Sequence, residues 1–341
     1  MVSCHNEWCR ALTFERTLYR LPLSTGRENT RVSAEMQIHH KPVMINEVVE
    51  GLNIKPQGLY VDCTVGEGGH TEAILNASEP KPKVLGIDLD ADALSIANKR
   101  LEGYKKNVTL VQGNFAQLYE IARNNGFSNA DGVLFDLGLS SLQLEEGYRG
   151  FSLQRTGKLD MRFDIGQEVT AHELVNNESA ETLGNIIFQF GEEPSARRIA
   201  RAIVNNRPIH STTDLAEVVA RYIGRSRRRN IHPATRTFQA LRIAVNGEIK
   251  NILSGLQGAI KTLAQGGRLV IISYHSLEDR GVKKTLRQES LEDSNKPISL
   301  EMPLHLATIK VINRKVLKPS RKEVMENPKS RSAKIRIAER L

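Results

Sequence analysis

The sequence predicts an α/β protein, a parallel sheet covered by helices on both faces and interrupted by one inserted helical domain. Three observations lead there. From Gly58 onward, short apolar runs alternate with stretches of helical spacing, the pattern of a sheet buried on both sides. The fourth and fifth runs are separated by more than 130 residues, far beyond a crossover helix, so something must be inserted between them. A chain of 341 residues is also long enough to bury more than one core.

Residues 1–36 read as an appendage in which Arg and Glu mix without regular apolar spacing, and Met36 would serve as an alternative start. Glu7, Glu15, Glu28 and Glu35 offset the five arginines there, whereas a transit peptide is poor in acids. Strands are expected at 59–63, 84–88, 108–112, 132–136 and 268–273. Helices are expected at 185–190, 195–206 and 211–223, the last opened by Ser211 and Asp214 in the manner of a capping box. Pro233 then begins a long helix whose apolar stripe runs through Phe238, Leu241, Val245, Ile249, Ile252, Leu256, Ile260 and Leu263, with Gly266 and Gly267 as its stop. The expected division is 37–145 plus 253–341 for the sheet domain and 146–252 for the insertion.

Forty per cent hydrophobic and 26% charged residues describe a globular chain. No apolar run approaches the roughly 20 residues of a membrane span. Cys4, Cys9 and Cys63 are too few for a disulfide framework and pair with no histidine at zinc spacing, so a reducing, cytoplasmic setting is expected. The net charge of +9 is unevenly placed. Residues 194–236 hold ten Arg against Asp214 and Glu217, and 305–341 hold eleven Lys or Arg against three Glu. Two basic segments on an otherwise acidic protein suggest a polyanionic partner. RNA suits them better than a membrane, since neither is an amphipathic helix with bulky aromatics; solvated basic surface is the plain alternative.

Chemistry concentrates at the ends of the expected strands. The segment from Val61 to Thr71 carries Gly66, Gly68 and Gly69 where the first strand turns into a helix, a place for a nucleotide-like cofactor to lie against backbone. Thr71 stands where a dinucleotide fingerprint wants its third glycine, which disfavours a nicotinamide. Asp88 ends the second strand about twenty residues later, suited to accept both hydroxyls of an adenosine ribose; capping the next helix is its structural alternative, a task Asp90 or Asp92 would also perform. Phe115 follows the third strand, against an adenine or in the core, with Asn114 beside it. Asp136 ends the fourth strand among apolar neighbours, poorly explained by packing, and would bind a cofactor's amino-acid portion or take a proton from a nucleophilic amine.

These residues sit in motifs that resemble, almost continuously from His40 to Leu341, the bacterial 16S ribosomal RNA cytosine-N4 methyltransferases, the RsmH or MraW family. The matching stretches are His40 to Met44, Asp62 to His70, Gly150-Phe151-Ser152, Leu159 to Arg162, Gly191-Glu192-Glu193, His232 to Ala240, Ser273 to Arg280, Asn327-Pro328 and Arg331-Ser332. Leu142, Tyr274 and Ala244 depart from it, standing where proline, phenylalanine and tryptophan are usual. The resemblance implies a Rossmann-like class I S-adenosylmethionine-dependent methyltransferase sheet whose inserted helical domain handles the substrate. It implies cofactor contacts from Gly68, Gly69, His70, Asp88, Phe115, Asp136 and Gln143. It also implies 16S rRNA of the small ribosomal subunit as partner, no membrane, and is compatible with a homodimer.

The sulfonium methyl is electrophilic unaided, so such an enzyme chiefly aligns the acceptor with the methyl–sulfur bond. Cytosine's exocyclic amine is a poor nucleophile, because its lone pair is delocalised into the ring. A group that holds or removes its proton localises that pair; Asp136 is the expected acceptor, with His232 and His275 behind it, and the chemistry calls for no metal. An RNA-binding protein that has kept the fold and lost the activity is the rival from another class, disfavoured by the intact glycine loop, Asp88 and Asp136.

Overall fold

The computed structural model describes residues 41–140, 143, 147–153, 155–223, 232–290 and 306–341. Seven strands make one sheet: β1 (Leu59–Asp62), β2 (Lys83–Asp88), β3 (Val108–Gln112), β4 (Ala130–Asp136), β5 (Leu263–Ser273), β6 (Ile309–Val311) and β7 (Lys334–Arg340). Their order is β3-β2-β1-β4-β5-β7-β6. The first five pair in parallel, whereas β7 lies antiparallel between β5 and β6. The order reverses between β1 and β4, so a crevice opens beyond the carboxyl ends of those strands.

Residues alternate between the two faces along each central strand. Val133 and Phe135 of β4 join Leu269 and Ile271 of β5 in one buried cluster, together with α4 (Leu118–Asn124), α10 (Glu248–Thr262) and α11 (Ser276–Glu289). Leu134, Val270 and Ile272 point the other way, into a cluster with α1 (Ile45–Leu52), α2 (Gly69–Asn76) and α3 (Ala91–Arg100). Both faces are therefore dry, which is why these strands read as continuous apolar runs.

Between β4 and β5 lie α5 (Ala171–Asn177), α6 (Ala180–Gly191), α7 (Ala196–Asn205), α8 (Thr212–Ile223) and α9 (Thr235–Asn246). They enclose a third cluster that includes Leu183, Ile187, Ile199, Ile203, Leu215 and Leu241. Thr170 and Glu173 form a capping box at α5, and Ser211 and Asp214 exchange the same reciprocal bonds at α8. All described residues belong to one compact unit, His40–Leu341. Among them no helix is long and apolar enough to cross a membrane.

The long helix expected from Pro233 is two helices. Gly247 adopts φ +59°, ending α9 and starting α10. Asn246 fixes the break by donating to the carbonyl of Met161 at 2.8 Å and accepting from the amide of Phe163 at 2.7 Å. The apolar stripe continues across the kink because each half faces a different buried cluster. Nor do Gly266 and Gly267 stop a helix: α10 ends at Thr262 and both glycines lie within β5, whose register shifts between Ala130 and Gly132 of its partner. The antiparallel β6 and β7 were not among the expected strands. The arginine run at 225–229 and the unusual Leu142 lie outside the described residues.

Candidate active site

A cavity of about 370 Å³ opens at the carboxyl edge of the sheet, where β1, β2 and β4 end. One wall is the loop between β1 and α2. Asp62, fully buried, accepts the Thr71 hydroxyl at 2.7 Å and the Thr64 amide at 3.2 Å, so the threonine in the third-glycine place ties the helix to the strand. Burial pushes the Asp62 carboxyl up. Gly66 and Gly69 line the cavity, and Gly68 does not. Gly68 caps α2 at φ +85°, where a side chain would be strained, and a Cβ on Gly69 would meet Pro42 at 2.2 Å. The protein's own packing thus already demands both glycines.

Asp88 lines the cavity at the end of β2. Its two oxygens accept the amides of Gly66 and Asp90 at 2.8 and 2.9 Å, leaving each oxygen capacity for a further donor. Burial raises its carboxyl to about 6 despite those bonds. Asp90 is the residue that caps α3, accepting the Asp92 amide. Its other oxygen is 3.0 Å from both the Gln143 amide and the Arg149 guanidinium. All three side chains are buried, so this network fixes Gln143 at the cavity wall.

Phe115 is half-buried, faces the cavity and meets Phe135 edge-on with centroids 5.6 Å apart. Gly255 lets α10 approach it, since a Cβ there would lie 2.8 Å from the ring. Asn114 does not line the cavity; it caps the turn at Phe115 by accepting the Ala116 amide at 2.8 Å.

Asp136 lines the same cavity from the end of β4. Its backbone amide donates to the Thr64 hydroxyl at 2.7 Å, joining the ends of β4 and β1. Carboxylate Oδ1 accepts the Tyr274 hydroxyl at 2.7 Å, and Oδ2 lies 3.4 Å from His70 Nε2. Burial and the Asp136 charge hold the Tyr274 phenol well above its ordinary range, so it remains a donor. Burial would lower the His70 imidazole, but the Asp136 carboxylate outweighs it and the net direction is up.

Beyond Tyr274 lies a second polar wall. Half-buried Arg242 and buried Glu248 form a bidentate pair at 2.7 and 2.9 Å that spans the Gly247 break. Glu278, fully buried, accepts the amides of Tyr274 and His275 at 2.8 and 3.1 Å. Burial would raise its carboxyl, but His275 and Arg242 bring it below the usual range. Glu248, His275 and Glu278 have ligand atoms within 4.8 Å of one another.

The structure thus gathers Gly69, His70, Asp88, Phe115, Asp136 and Gln143 around one cavity and leaves Gly68 behind the loop. His232 is exposed, does not line it, and caps a turn by accepting the Ala234 amide. Arg242, Glu248, Phe163 and Lys329 also line it and were not singled out from the sequence. The six-residue spacing of Arg242 and Glu248 across a glycine was the only sign of that pair.

The sheet order and this cavity define a Rossmann-like class I methyltransferase that uses S-adenosylmethionine. Comparison with known proteins agrees in detail. Residues 37–341 match the MraW methylase family, and the chain belongs to that family. It is 48% identical over 304 residues to the ribosomal RNA small subunit methyltransferase H of Dehalococcoides mccartyi, covering 89% of this chain and 86% of that one. Proteins of the same description from a Cyanothece species and from Thermomicrobium roseum are 46% and 45% identical, covering 90% and 92% of this chain and 96% and 98% of theirs.

Proposed function

We propose that this chain transfers a methyl group from S-adenosylmethionine to the exocyclic N4 amine of a cytidine in small-subunit 16S rRNA, acting on the small ribosomal subunit. The observation that carries it is the Asp136 carboxylate, held by Tyr274 and beside His70, between the glycine-loop wall and the polar wall of one cavity. The cofactor fits the first wall. Gly66 and Gly69 present backbone, Asp88 has lone pairs for ribose hydroxyls, and Phe115 offers a half-buried ring to an adenine. Gln143 borders the same space, and Gly68 acts by shaping the loop.

When bound, the cofactor supplies an electrophilic methyl. The protein's task is then to place the amine and accept its proton. Asp136 Oδ2 accepts a hydrogen bond from N4, localising its lone pair, and takes the proton as the N–C bond forms and the C–S bond breaks. His70, 3.4 Å away, stabilises the charge on that oxygen. The base leaves its stack to reach this depth, which favours a single-stranded or distorted segment.

The helices between β4 and β5 serve as the substrate domain. Arg197, Arg198 and Arg201 are exposed on α7 and have no partner among the described residues, which suits contact with phosphates. Nucleoside mass spectrometry of small subunits incubated with enzyme and S-adenosylmethionine tests this directly. N4-methylcytidine in 16S rRNA is expected, and its absence, or methyl on another base, rejects the reading.

A further inference from the structure

The polar wall beyond Tyr274 has more buried hydrogen-bonding capacity than its own contacts use. His275 Nδ1 accepts the Glu278 amide at 3.4 Å as the cap of α11. A neutral ring that accepts at Nδ1 carries its proton at Nε2. His275 lines the cavity, and its buried Nε2 lies 3.1 Å from Glu278 Oε1, close enough for an ion pair but out of line for a hydrogen bond; among the described residues neither atom makes one. A buried donor whose hydrogen bond is not made is costly, so such groups mark places where a ligand completes the bonding.

The position is set by the sheet. Asp136 and Ile272 are register partners at the ends of β4 and β5, and His275 follows Ile272 by three residues. Tyr274, between them, reaches Asp136 with its hydroxyl. The cavity therefore offers an acceptor at Asp136 and a donor at His275. Cytosine shows the complementary pair on one edge, the N4 amine as donor and ring N3 as acceptor. Uracil shows the reverse, O4 as acceptor and N3–H as donor.

Resting on the reading of the function given above, we infer that His275 reads the acceptor base, its Nε2–H donating to cytosine N3 while N4 faces Asp136. Glu278 is the positioning residue for the imidazole, anchored by the amides of Tyr274 and His275. Discrimination against uracil follows, because N3–H would face Nε2–H and leave two buried donors opposed.

The test compares wild type with His275→Asn, which retains a side-chain oxygen for the helix cap and is too short to bring a donor to the same point. Each enzyme, saturated with S-adenosylmethionine, is given small ribosomal subunits reconstituted with either of two 16S rRNAs in single-turnover reactions. One carries cytidine at the methylated position; the other carries 3-deazacytidine, in which carbon replaces N3. The intrinsic reactivities of the two bases are common to both enzymes and cancel in the ratio of ratios. Wild type is expected to favour cytidine about 10- to 100-fold more than the variant does, the size of one buried hydrogen bond left unmade. Equal ratios in the two enzymes overturn the assignment. So does loss of wild-type activity on chelation with recovery on adding Zn²⁺ or Mn²⁺, which would make Glu248, His275 and Glu278 a cation site. A wild type that methylates no cytidine N4 in the unmodified subunit rejects the function itself, an outcome distinct from equal ratios.

Discussion

Tyr274→Phe removes one hydroxyl and keeps the ring that the fold packs. In the structure that hydroxyl donates to Asp136 Oδ1 at 2.7 Å, and the Asp136 side chain is 20% exposed. A hydrogen bond to a charged group contributes about 1.5–3 kcal/mol, and partial exposure argues for the lower end. At about 1.4 kcal/mol per factor of ten, losing it frees the carboxylate to leave its working orientation and should lower kcat by roughly tenfold. Cofactor affinity should stay the same, because the hydroxyl bonds Asp136 and the carboxylate itself remains. The assay is kcat with saturating cofactor and RNA, alongside calorimetric titration of the cofactor and thermal melting to establish that the fold is intact. A kcat within about twofold of wild type in a well-folded Tyr274→Phe would show that the bond does not hold the carboxylate where the reaction needs it.

Asp88, raised to about 6 by burial, is ionised above that pH and protonated below it, and only the ionised form accepts two ribose hydroxyls. Cofactor affinity should therefore be flat above about pH 7 and weaken toward about tenfold per unit below 6. In Asp88→Asn the slope disappears; calorimetric titration at several pH values reads both, and an unchanged slope removes Asp88 from the cofactor site. Arg149→Met strands buried Asp90, with which Arg149 pairs at 3.0 Å, at a cost of about 3–5 kcal/mol. The melting temperature should fall by roughly 10 °C, and a change under about 2 °C would contradict the burial argument. Replacing Arg197, Arg198 and Arg201 by Ala should weaken RNA binding at low salt and flatten the dependence of log affinity on log salt by about 0.7 per lost phosphate contact. Fluorescence anisotropy with an rRNA fragment measures it, and identical slopes would make α7 ordinary solvated surface.

Much of the architecture was already present in the order of residues. Strands buried on both faces have to be apolar throughout, so β1 to β4 were legible within two residues of their ends, as were α7 and α8 from their spacing and caps. Asp88 and Asp136 stood out because a carboxylate at the end of an apolar strand needs a reason to be there. What stayed hidden depends on contacts distant in sequence. Residues beside Gly247 give no sign that the two halves of a continuous stripe face different clusters, so the kink was read as a straight helix. The edge strand β6 is three residues long, too short to carry a periodic signal, and β7 pairs with strands about 25 and 70 residues away. Gly68 and Gly69 announced a tight turn but not that Leu101 and Pro42 press on them. Sequence by itself determined which residues had to be buried and which strand ends carried chemistry, because those follow from local period and polarity. Only the tertiary structure decided that Tyr274 would hold Asp136, 138 residues away, and that Arg242, Glu248, His275 and Glu278 would close the far wall of the same cavity, because a hydrogen bond between side chains leaves no mark on the spacing of either one.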